Sequence, residues 1–213
     1  MNPTLRLTFS RTGTAKYISH LDMQRTMQRA LKRAEIPIWY SEGFNPHPYL
    51  SFVCPLPVGV EGEKEMVDFR LADNMTGEEI CRRLNQVFPQ GFSAESAFPP
   101  QDKARELAYA KYTVTFDKSM KDHFFEFWSE KALPVIKKTK RAEKEIDLKQ
   151  KLCRYEITEK DNSFSFSAFY PCSSEETLNP NLLIKAFEAH SGETGPCQIV
   201  RNSFYKADFN IFQ

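Results

Sequence analysis

The sequence is short of the residues that mark a metal or cluster site. Its five cysteines, Cys54, Cys81, Cys153, Cys172 and Cys197, include no C-x-x-C or other close pair. Zinc-ribbon and iron–sulfur spacings are therefore missing. An odd number of scattered cysteines fits reduced, mostly buried thiols. No apolar run approaches bilayer length, and the first residues carry no charged-then-apolar leader. Together these absences predict a soluble, cytoplasmic chain with no cofactor. An excess of one charge sign is missing too. The 29 Lys+Arg and 28 Asp+Glu leave a net charge of +1, which excludes a strongly basic nucleic-acid coat protein but not a local basic patch.

What is present is aromatic. The 213 residues include 18 Phe, enough apolar surface to argue against disorder. That length suits one large domain or two small ones. Charge is unevenly spread. Arg11 to Arg33 carries six Lys/Arg against Asp22 alone, and Lys137 to Lys151 carries seven against Glu143, Glu145 and Asp147. Glu61 to Glu79 is acidic instead.

The pattern predicts two similar halves. Thr4 to Phe9 alternates as a strand does. Ser19 is an N-cap residue with Asp22 three positions on. A helix to about Glu35 then carries Met23, Met27, Ala30, Leu31 and Ala34 on one face. Pro37 stops it, and Ile38-Trp39-Tyr40 starts a strand. After the loop at residues 41–48, Leu50 to Leu56 and Glu65 to Leu71 are expected as strands. A helix capped by Thr76 and a strand from Phe92 to Phe98 close the half. Pro99, Pro100 and the residues to about 107 form a linker. The order then repeats: a strand at Tyr109 to Phe116, a helix from Met120 to Ala132, a basic hairpin after Val135-Ile136, strands at Arg154 to Thr158 and Phe164 to Tyr170, a helix from Pro180, and a strand near Ile199. Ile36-Pro37-Ile38 and Leu133-Pro134-Val135 echo one another. The expectation is an α+β protein of two tandem ferredoxin-like (βαββαβ) halves with antiparallel sheets, residues 1–99 and 108–213.

Four segments can carry chemistry. His20 at a helix start, with Asp22 nearby, fits a general base, a phosphate site at the dipole end, or a capping segment with the ring stacked on the sheet. Arg25, Arg29 and Lys32, with Arg33 beside them, form a row opposite the apolar stripe, suited to a phosphate backbone or to plain solvation. In the loop Ser41-Glu42-Gly43-Phe44-Asn45-Pro46-His47-Pro48, two prolines lower the entropy cost of holding Asn45 and His47 in place. The run Lys137-Lys138-Thr139-Lys140-Arg141 fits RNA phosphates or a charged edge that discourages aggregation.

Phe9-x-Arg11-x-Gly13, Lys16-Tyr17-Ile18-Ser19-His20-Leu21-Asp22, Arg25, Arg29-Ala30, Arg33-Ala34, Pro37, Ser41, Gly43-Phe44-Asn45-Pro46-His47-Pro48 and Pro55-Leu56 together resemble the radical-SAM-linked protein family of bacteria, which has no assigned activity. Lys140 and Ile146-Asp147-Leu148 extend the likeness into the second half. The resemblance implies a chain encoded beside, or fused to, a radical SAM enzyme. Lacking that enzyme's cysteine cluster, this chain would be the accessory. The layout also resembles the repeat-RNA-processing endonucleases of CRISPR systems, although Gly192 and Gly195 stand where those carry a glycine-rich basic loop.

The expected function is binding of RNA, such as tRNA or rRNA, and its presentation to a radical SAM partner. Arg25, Arg29, Arg33, Lys140 and Arg141 would hold phosphates. His20, Ser41, Asn45 and His47 would line the pocket, and Tyr40 and Phe44 would stack a base. Two rivals stand beside it. One is a metal-independent acid/base ribonuclease using His20 and His47, or a metal site of His20, Asp22 and His47. The other is a protein-interaction module without nucleic acid.

Overall fold

The computed structural model describes residues 2–138, 143–195 and 197–213. Those residues form an α+β protein, mostly antiparallel sheet, with ten strands and five α-helices. The chain divides into two compact units, Met1–Glu106 with Phe212–Gln213, and Leu107–Ile211.

Unit 1 runs β1 (Thr4–Arg11), α1 (His20–Arg33), β2 (Leu50–Phe52), β3 (Glu61–Arg70), α2 (Gly77–Val87) and β4 (Phe92–Phe98). Its strands pair antiparallel in the order β4-β1-β3-β2. Leu5, Leu7 and Phe9 of β1 enter a core shared with Val67 and Phe69 of β3 and with Met23, Met27 and Leu31 of α1. The alternation that predicts β1 also predicts a wet second face, and here the outcome differs. Arg6 is 1 % exposed. Its guanidinium donates twice to the Asp68 carboxylate, at 2.7 and 2.9 Å, and once to the Asp102 carbonyl. The Phe212 ring lies 4.7 Å from it. A buried charge needs such a partner set to offset its lost hydration.

Capping and close approach fix the helices. The Ser19 hydroxyl accepts the Asp22 N–H at 3.1 Å and donates to the Asp22 carboxylate at 2.7 Å. Helix α1 closes at Arg33 rather than Glu35, because Glu35 already has a left-handed φ of 52°. In α2 the Thr76 hydroxyl accepts from the Glu79 N–H. Gly77 there lies so near the Ala97 carbonyl that a Cβ would collide with it. The Asn85 side chain pairs with both backbone groups of Ala94, steadying a bulged stretch of β4.

Two expected strands shrink. From Ile38 there are only isolated bridges, Ile38 to Leu71 and Tyr40 to Pro48. The strand from Leu50 ends at Phe52, since Pro55 and Pro57 cannot donate to a ladder. β3 instead begins four residues early, at Glu61.

Unit 2 runs β5 (Leu107–Asp117), α3 (Lys121–Ser129), β6 (Pro134–Lys138), β7 (Glu143–Asp147), the short α4 (Leu148–Lys151), β8 (Cys153–Glu159), β9 (Ser163–Pro171), α5 (Asn181–Ser191) and β10 (Gln198–Lys206). Four strands pair antiparallel in the order β10-β5-β9-β8. β6 and β7 form a separate two-stranded sheet. The core is built of rings. Phe124 lies 5.1–5.9 Å, centroid to centroid, from Phe116, Phe127, Phe164, Phe166 and Phe187. Helix α3 stops at Ser129, short of the expected Ala132, and Pro134 already opens β6. Among the described residues no helix is long and apolar enough to cross a membrane.

Candidate nucleic-acid interface

Helix α1 presents its cations because its other side is committed to the core. Met23, Met27, Ala30 and Leu31 are buried, and Arg25, Arg29, Lys32 and Arg33 are exposed. Arg25 reaches the Asp22 carboxylate at 3.4 Å. The side chains of Arg29, Lys32 and Arg33 make no hydrogen bond or ion pair among the described residues. At the C-terminal end of α1, Arg33 faces Arg82 and Arg83 of α2 across a cleft of about 260 Å³. Glu79 accepts two bonds from Arg82 and one from Arg83, at 2.6–2.7 Å. Those bonds, Arg82's first, pull the Glu79 carboxyl down to about 2. One carboxylate thus serves two arginines, and Arg33 adds a third cation. The acidic composition of residues 61–79 hid Arg82 and Arg83 from the sequence reading; their i, i+3 and i, i+4 spacing from Glu79 was the available signal.

The loop at residues 41–48 is closed on itself. The Ser41 N–H donates to the His47 carbonyl, and the His47 N–H donates to the Ser41 hydroxyl. His47 Nδ1 lies 3.2 Å from the Asn45 carbonyl and 3.0 Å from the Ser41 hydroxyl. His47 is exposed, and its Nε2 makes no bond among the described residues. Gly43 has φ 126°, a region that other residues rarely adopt. Next to it Phe44 is fully exposed, and Tyr40 is exposed at the loop's base. The Asn45 side chain has no bonding partner among the described residues. Arg70 anchors the foot of the loop, 4.6 Å from the Tyr49 ring and 5.5 Å from Trp39. Arg70, Trp39 and Tyr49 escaped the sequence reading, because nothing local ties residue 70 to this loop.

His20 has different neighbours. Its ring meets Phe52 edge-on at 5.3 Å, and the Gln24 amide donates to its Nε2 at 3.2 Å. It shares a pocket with Phe9, Arg11, Met23, Phe52 and Glu65 whose free space, about 10 Å³, is at the lower limit for a single water. Burial, and then the Arg11 charge, push the His20 pKa below its ordinary 6.5. Arg11 and Glu65 are themselves buried, and Arg11 donates to the Pro57 and Val60 carbonyls. The ring thus packs edge-on against β2, at the start of a helix capped by Ser19. No hydrogen bond or ring contact joins His20 to His47, and His47 is not a wall of this pocket. Asp22 is bound to Ser19 and Arg25. Among the described residues no three His, Cys, Asp or Glu gather as a metal set, so His20, Asp22 and His47 are not assembled as one. Lys140 and Arg141 lie outside the described residues.

The fold is mostly antiparallel α+β, and its first unit exposes a row of cations on α1 and a self-closed loop carrying Phe44. Residues 4–180 match a family model, and the chain belongs to that family, described as "Uncharacterized protein conserved in bacteria (DUF2344)". No curated protein matches the chain. Among solved structures it is similar to one described as "Crystal Structure of an Unknown Protein from Galdieria sulphuraria". That likeness has 10 % identity and a TM-score of 0.29, over 97 % of this chain and 99 % of the other.

Proposed function

We propose that this chain binds RNA, such as tRNA or rRNA, through unit 1 and presents it to a radical SAM partner enzyme in the cytoplasm. The observation that carries the reading is the cationic face of α1, where Arg29, Lys32 and Arg33 stand exposed without acidic partners. Cations in that state can exchange condensed counterions for phosphates. The loop supports the same reading. It holds Phe44 and Tyr40 where a base can stack, with Asn45 and His47 Nε2 ready to meet base edges or a 2′-hydroxyl. We further propose that each unit is a ferredoxin-like half. The β-α-β-β-α-β order of unit 1, and the same order with a hairpin inserted in unit 2, support this. The radical SAM partner rests on the family resemblance of residues 9–56 and is tested by co-purification from the native cell.

The ribonuclease reading has less support, because the two imidazoles keep separate neighbours and His20 borders space for about one water. The RNA reading is tested by titrating the purified chain with single-stranded RNA. Phe44→Ala removes one stacking platform and is expected to weaken binding by about 1–3 kcal/mol, with an unchanged thermal melt. Absence of RNA binding at low salt would overturn the reading in favour of a protein-only module.

A further inference from the structure

Unit 2 has an open groove between the β6–β7 hairpin and α5. It consists of two adjoining hollows of about 550 and 410 Å³ that share Ile136, Leu182 and Lys185. This is the size range of ligand sites. Successive side chains of a strand point to opposite faces. Yet the groove touches every residue from Ala132 to Lys138 in sequence. A groove that meets both parities of a strand borders its backbone edge, not one of its faces. β7 pairs with one edge of β6, and among the described residues no strand pairs with the other. Alternate N–H and C=O groups of β6 therefore point away from β7 without a ladder partner.

The charge of the groove is one-sided. Lys138 is held by Glu143 at 2.8 Å. Lys137 and Lys185 have no such partner among the described residues, and Lys137 sits directly opposite Lys144 across the hairpin, a like-charge pair. Glu130, at the far end, is the acid among the walls. Ile136 is exposed, and Leu182 and Ala186 of α5 face the same space.

From this edge, this floor and these charges we propose that the groove takes an extended, acidic and apolar peptide segment of a partner protein. The segment adds to β6 as a third strand. Its backbone meets the open edge, alternate apolar side chains meet Ile136 and Leu182, and its carboxylates meet Lys137 and Lys185. This site is separate from the RNA surface of unit 1 and does not depend on it.

The probe is a labelled eight-residue peptide alternating valine and glutamate, titrated by anisotropy against the full chain. Binding is expected for this peptide and not for its valine–lysine counterpart. N-methylation of alternate peptide nitrogens on the pairing edge is expected to abolish binding, which tests the ladder without altering the protein. Lys137→Glu with Lys185→Glu is expected to weaken binding by about ten-fold or more with an unchanged melt. The proposal is overturned by equal binding of the valine–lysine or fully N-methylated peptide, by no binding of any peptide, or by an RNA oligonucleotide that displaces the peptide and loses its own binding in the double variant.

Discussion

Unit 1 covers its sheet with methionine, leucine, isoleucine and alanine, among them Met23, Met27, Ala30 and Leu31. Unit 2 covers its sheet with rings, and Phe124 alone touches five other phenylalanines. Apart from the hairpin and short helix inserted in unit 2, the element order is the same, so the order does not require either chemistry. The units also differ between the first helix and the second strand of the main sheet. Unit 1 places there a loop stiffened by Pro46 and Pro48 and closed by Ser41 and His47. Unit 2 places there the β6–β7 hairpin and its basic groove. The loop follows Ile36-Pro37-Ile38, and the hairpin opens within the matching Leu133-Pro134-Val135. The main sheet of each unit is paired without these segments, and connecting segments of this kind tolerate lengthening better than the strands they join.

The sharpest way to break the comparison is to hollow the ring core of unit 2. Phe124→Ala is expected to cost about 3–5 kcal/mol, because a ring shared by five neighbours leaves a space none can fill alone. Urea unfolding followed by fluorescence checks this. A loss under about 1 kcal/mol, a methyl-scale effect, would mean that the ring cluster relaxes freely. Next comes the charge buried on the second face of the unit 1 sheet. Arg6→Met is expected to cost about 3 kcal/mol, toward the low end for a broken buried pair, since Asp68 keeps a 17 % exposed side chain. Adding Asp68→Leu is expected to recover part of that loss in the same unfolding assay. No recovery would show that Arg6 acts through Phe212 and the Asp102 carbonyl instead.

The order of elements was legible because their signals are local. Ser19 and Thr76 cap their helices, and the methionine stripe faces the core. The face of β1 that carries Arg6 was not legible, because what covers it comes from Asp68, Asp102 and Phe212, far away in sequence. For the same reason His20 and His47 drew attention as a pair. Their motifs are close in the chain, and only the packing of Phe52 and the bonding of Ser41 assign them to different surroundings. The row of α1 cations was legible from periodicity. Its continuation into Arg82 and Arg83 required the two helices to be side by side.

A smaller effect separates the His20 pocket from the rest of unit 1. Burial and the Arg11 charge hold its pKa below 6.5, so the fold favours the neutral ring and the unfolded chain takes up the proton first. Its contribution is complete above about pH 6.5 and is lost as pH falls from there through the folded value. His20→Gln is expected to flatten that part of the stability–pH curve. An unaltered curve across pH 7 to 5 would place the titrating group elsewhere.

The smallest effect on stability carries the most weight for function. Arg29 and Arg33 are exposed and unpaired, so replacing both with alanine should shift stability by less than about 0.5 kcal/mol. Arg25 is the poorer choice, because it already engages Asp22. The decisive measurement is RNA affinity across a salt series for the wild type and the Arg29→Ala, Arg33→Ala double variant, with thermal melts alongside. The account predicts weaker binding and a log–log salt slope shallower by about 0.7 for each lost single-strand phosphate contact, with the melt unchanged. An identical slope in a folded double variant would contradict it.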